Sequence, residues 1–167
     1  MKNAISFLTI LLITNFYSCN TNNMIIDPID KEFNEQLLTG EGLDSNLFST
    51  KEIVQYYEIN NYSDLPIKDF VSKLNQFSID NYKFNDIKDK NDFTILFYKK
   101  ETLVDYSKDI YESARDNQNG FLQDYSQNLV VKIRLKAILD SDKVSSEISF
   151  YKKDKLDKEF KETIILK

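Results

Sequence analysis

The residues in this chain that could do chemistry are carboxylates and tyrosines. The 167 residues include 27 Asp and Glu, 10 Tyr, one Cys and no His. Without histidine, the commonest general base and the commonest nitrogen ligand for a metal are missing. A pair of carboxylates ~5–9 Å apart could hydrolyse a glycoside. Which two would meet is not readable from the order of residues, and the chain has no Trp to stack on a sugar. Nucleophilic serine chemistry would need lysine as its base. Ser49, Thr50 and Lys51 are neighbours, but no Ser-x-x-Lys with supporting motifs accompanies them. Gly40, Gly42 and Gly120 are too far apart for a phosphate-cradling loop.

Two oxygen-rich stretches suggest metal binding and fail on spacing. If Gly120 in Asp116-Asn117-Gln118-Asn119-Gly120 were the sixth position of a calcium loop, the first would be Arg115 and the twelfth Ser126, where that chemistry needs carboxylates. Asp86, Asp89, Asn91 and Asp92 follow no coordination pattern and read as a solvated turn. The expectation is no metal and no cofactor. A third group is better suited to binding protein. Tyr106, Tyr111, Phe121 and Tyr125 lie among Asp105, Asp109, Glu112, Asp116 and Asp124. Tyrosine supplies contact area with one polar tip, so these four aromatics are the candidate binding loop.

The sole cysteine has a different context. Lys2 is followed by an apolar run from Ala4 to Ile13, about ten residues and too short to span a bilayer. Ser18 then precedes Cys19. This resembles a bacterial lipoprotein signal ending in a relaxed lipobox, with Phe16 and Tyr17 in place of the usual leucine and small residue. The resemblance implies cleavage between Ser18 and Cys19 and lipidation of Cys19. It also implies a palmitate-bearing anchor in the cell envelope and a membrane partner reached through lipid alone. Asn20, with no acidic run after it, implies by the same likeness the outer membrane, facing the periplasm.

The domain plan follows: 1–18 signal peptide, 19–26 tether, 27–167 a single domain. Loss of Lys2 leaves 21 basic against 27 acidic residues, a net charge of −6, which argues against nucleic acid as a partner. Asp27-Pro28 is expected to open a short helix with Ile29, Phe33 and Leu37 on one face, ended by Gly40 and Gly42. For residues 51–59, Ser49 and Glu52 could box a helix start, while the β-branched and aromatic content favours a strand; strand is preferred. Residues 66–82 carry Ile67, Phe70, Val71, Leu74 and Phe77 at helical spacing, with Lys68, Lys73, Asn75 and Gln76 outward. Residues 92–99, 129–138, the stretch around Ile148 and Phe150, and the stretch from Phe160 to Leu166 read as strands. Lys132, Arg134, Lys136, Glu147, Ser149 and Tyr151 point outward. Residues 100–128 hold a helical turn or two at Ile110, Tyr111 and Ala114.

The expected fold is α+β: an antiparallel meander of four to five strands with one main helix on one face and a short N-terminal helix. The expected function is a membrane-anchored, non-catalytic protein-binding module that meets another envelope protein. The alternative is a carboxylate-based hydrolase of envelope glycans.

Overall fold

The computed structural model describes residues 24–116 and 120–167. Ser18, Cys19 and the rest of the leader, together with residues 117–119 of the polar loop, lie outside the described residues. Six strands form one sheet in chain order: β1 (Ile25–Pro28), β2 (Glu52–Asn60), β3 (Asp92–Lys99), β4 (Leu129–Ala137), β5 (Lys143–Lys152) and β6 (Lys155–Ile165). The α+β class is as expected. The sheet differs from the expected meander in strand number and in being mixed, because β2 and β3 run parallel. A parallel pair needs a crossover. Here it is α2 (Ile67–Asn81) followed by the one-turn α3 (Phe84–Ile87).

The sheet begins earlier than the sequence suggests. Ile25 and Ile26, placed in the tether above, pair with Asn60 and Ile59 of β2. Asp27 and Pro28 continue that strand and do not open a helix; an edge strand tolerates a proline because its outward N–H has no partner to lose. Helix α1 (Lys31–Thr39) starts at Asp30, whose Oδ1 accepts the Phe33 N–H at 3.0 Å. It ends at Gly40, which adopts φ +78° and donates its N–H to the Gln36 carbonyl.

Each face of the sheet carries a core. On one face, Phe70, Val71 and Leu74 of α2 pack over Phe93, Ile95, Phe97, Val131, Ile133 and Ile148. Asn75, read above as outward, points inward from the same helix. It accepts a hydrogen bond from Ser146 Oγ at 2.7 Å and donates to Glu162 Oε2 at 2.6 Å, pinning α2 to β5 and β6. On the other face, Phe33 and Leu37 of α1, Phe48, Tyr106, Leu122 and Ile110 of α4 (Ser107–Asp116) pack over Tyr56, Leu96 and Tyr98. A 3-10 helix, Gln123–Asn128, leads from there into β4. Strand β3 is therefore covered on both sides, and Phe93 through Tyr98 are all buried.

Two local devices hold the second face. Asn34 of α1 is buried and treats β2 as a neighbouring strand would. Its Nδ2 donates to the Tyr56 carbonyl at 2.9 Å and its Oδ1 accepts the Tyr56 N–H at 3.0 Å. Gly120, at φ +66°, lies so close to β2 that a Cβ there would stand 2.4 Å from Val54 Cγ2. Between β3 and β4 the pairing shifts at Phe97/Tyr98, so Tyr98 faces Leu129 while Phe97 faces Val131. That bulge turns Leu129 into the second core and leaves Val130 beside the first.

Candidate functional site, a charged trough on the open half of the sheet

The second face is covered only over its β2–β3 half. Over β4–β6 it is open, and there lies a trough of about 420 Å³. Its floor is set by strand register. One cross-strand row is Thr94, Arg134, Glu147 and Lys161; the next is Leu96, Lys132, Ser149 and Glu159. Tyr151 lines the trough, and Phe121 meets it edge to face with ring centroids 6.4 Å apart.

The first row is internally neutralised. Arg134 donates from Nε and Nη2 to Asp92 Oδ2, and Thr94 Oγ1 donates to Asp92 Oδ1. Burial pushes the Asp92 carboxyl up, but the hydrogen bonds from Arg134 and Thr94 outweigh it and hold the group below the usual range. Glu147 is likewise held low, first by the hydrogen bond from Lys161. In the second row, Ser149 Oγ donates to Glu159. Lys132 has no such compensation. Among the described residues no carboxylate lies within ion-pair distance of its ammonium, which sits 5.1 Å from the centroid of the Phe121 ring. Burial and the nearby Arg134 charge push its pKa below the ordinary lysine value, against a weaker pull from Asp92. The trough therefore presents a partly desolvated cation over the Phe121 ring, which in turn packs on Tyr151, a combination suited to a carboxylate carried beside an apolar group.

The four aromatics of the candidate loop are not brought together. Tyr106 is core: it is 1% exposed, donates its hydroxyl to the Lys99 carbonyl at 2.7 Å and accepts from Asn128 Nδ2 at 3.0 Å. Burial pushes its pKa up to about 12. Tyr125 packs on Tyr106 at 5.1 Å. Tyr111 is half exposed but packs elsewhere, on Phe33 and Phe48. Of the four, Phe121 alone touches residues that line the trough, Lys132 and Tyr151. Sequence reasoning sets Lys132, Arg134, Glu147, Ser149 and Tyr151 on an outward face and treats that face as merely solvated. The signal available is that the β4 cations alternate opposite a strand with only one carboxylate, Glu147, in its outward row.

The oxygen-rich stretch 86–92 has structural employment. Asp86 Oδ2 accepts the Lys83 N–H at the start of α3, the Asp89 carbonyl accepts from Lys51 Nζ, and Asp92 holds Arg134. Among the described residues, no cluster of three or more His, Cys, Asp or Glu could hold a metal ion. No protein-family model matches the chain, and no curated protein or solved structure matches it significantly.

Proposed function

We propose that the chain is a lipid-anchored, non-catalytic binding module of the bacterial cell envelope, tethered through Cys19 to the outer membrane on its periplasmic side. Its trough grips an acidic, partly apolar segment of another envelope protein. The anchor rests on the Ala4–Ile13 run followed by Ser18-Cys19. Among the described residues no helix is long and apolar enough to cross a membrane. The binding reading rests on one observation: Lys132 is partly removed from water and, among the described residues, has no carboxylate of its own. A partner's carboxylate would complete it, with the partner's apolar portion against Phe121 and Tyr151. A glycan hydrolase, by contrast, needs a carboxyl whose pKa is raised so that it can protonate a leaving group. Glu147 in the trough and Asp92 beside it are instead held low by Lys161 and Arg134.

The anchor has a direct test. Cells expressing the wild type should incorporate radiolabelled palmitate into it, and Cys19→Ser should be unlabelled, unprocessed and released from the membrane fraction. Two acyl chains or more hold a protein stably, at ~0.8 kcal/mol per buried CH₂, so the difference should be nearly all or none. A wild-type chain that stays unlabelled and soluble would remove the anchor from the account.

A further inference from the structure

Strand β6 is the last strand of the sheet, and its outer edge makes no backbone hydrogen bond among the described residues. Such edges are templates for pairing with another strand. We propose that a second copy of this chain occupies it, β6 against β6 in antiparallel sense, in a two-fold dimer centred on Phe160. This surface is separate from the trough and does not depend on what the trough binds.

The order of charges along β6 favours this pairing. Past the bulge at Asp157, the strand runs Lys158-Glu159-Phe160-Lys161-Glu162 before the uncharged Thr163-Ile164-Ile165. Reversed about Phe160, every cation falls opposite an anion. Glu159 meets Lys161 of the partner subunit on the trough face, and Lys158 meets Glu162 of the partner subunit on the α2 face, each pair occurring twice by symmetry. A two-fold axis perpendicular to the sheet keeps each face on its own side, so only registers centred on a residue are permitted. Centring one residue earlier places Glu159 against itself, and one residue later places Lys161 against itself. Like charges directly opposite are destabilising, which disfavours both neighbouring centres, and Phe160 is the centre at which all four charges are matched. Phe160 fits that place. It is only half-buried, resting edge-on against Phe150 at 5.7 Å, and its partner's Phe160 would cover the side now facing water. Lys158 makes no hydrogen bond or ion pair among the described residues, so it is available to Glu162 of the partner subunit.

With the chain cut before Cys19, as proposed above, its own tether cannot take this edge. The chain enters the fold at β1, on the opposite side of the sheet, five strand spacings away. At ~4.8 Å per strand that is ~24 Å, whereas the five residues 19–23 reach at most ~18 Å.

The test is sedimentation of the full chain in detergent for wild type, Lys158→Glu, Glu162→Lys and an equimolar mixture of the two variants. The wild type should dimerise. Lys158→Glu should raise the dissociation constant about tenfold or more, because two attractive pairs become repulsive. The mixture should recover the dimer, since in a mixed pair each cation at position 158 or 162 again faces an anion across the axis. Raised salt should weaken the wild-type dimer. A wild type that stays monomeric at every concentration would overturn the proposal. So would a Lys158→Glu chain that dimerises as tightly as wild type. The Lys158 side chain has no bond to lose among the described residues, so that variant stays informative even if Glu162→Lys, which gives up the bond from Asn75, folds poorly. Where both variants melt like wild type, a mixture that remains monomeric would also overturn it.

Discussion

Tyr106→Ala should lower the stability of the domain by about 3–5 kcal/mol, enough to abolish most of the margin of a typical domain. The side chain is 1% exposed between the rings of Tyr98 and Tyr125, at 5.4 and 5.1 Å. Removing it leaves a cavity beneath α4 and deprives the Lys99 carbonyl and Asn128 of their shared hydroxyl. Tyr106→Phe keeps the volume and should cost less, about 1–3 kcal/mol for the unpaired groups alone. Urea unfolding of the three proteins gives the comparison. A loss below about 1 kcal/mol for the alanine variant would show that α4 and the segment after it do not form a second core.

The first core has its own test in α2. Leu74 is fully buried against the sheet, while its neighbour Lys73 is exposed. Leu74→Ala should cost about 2–5 kcal/mol and Lys73→Ala less than about 0.5 kcal/mol. Denaturant midpoints at constant slope measure both. Similar small losses at the two positions would mean that the helix does not pack there. The two cores share β3, so Tyr106→Ala and Leu74→Ala should unfold in one transition each, with no separate melting of one face.

Much of this arrangement is legible where one face of an element is wet. Strand β4 alternates because Lys132, Arg134 and Lys136 face the open half, and the α2 stripe is clear because Lys73 and Gln76 face water. Legibility fails where both faces are covered. β2 and β3 lack a polar row, so their apolar runs mark strands but carry no sign of a parallel partner. It fails again where a polar side chain is used inside. Asn75 reads as solvent-facing by its chemistry, yet its partners Ser146 and Glu162 stand 71 and 87 residues away. Ser49 shows a third limit. Its hydroxyl accepts the N–H groups of Lys51 and Glu52, at 3.1 and 3.0 Å, as a helix cap would, but the turn it closes feeds a strand. The trough is half visible. Alternation puts its residues on the correct side, but it does not give the register that sets Arg134 beside Glu147 and leaves Lys132 beside Ser149.

Lys132, which has no ion pair among the described residues, is central to the proposed binding. A cation held partly out of water destabilises the free domain, and a site that destabilises its own fold is expected where binding requires it. Replacing Lys132 with methionine keeps the length of the side chain and removes the charge. The most direct measurement is capture from detergent-solubilised envelopes by full-length wild type, Lys132→Met and the exposed control Lys136→Met, with thermal melting of each. Lys132→Met should melt at or above the wild-type temperature and capture its partner about tenfold or more weakly, as loss of a charge-assisted hydrogen bond requires, while Lys136→Met should change neither. Undiminished capture by a well-folded Lys132→Met chain would contradict it.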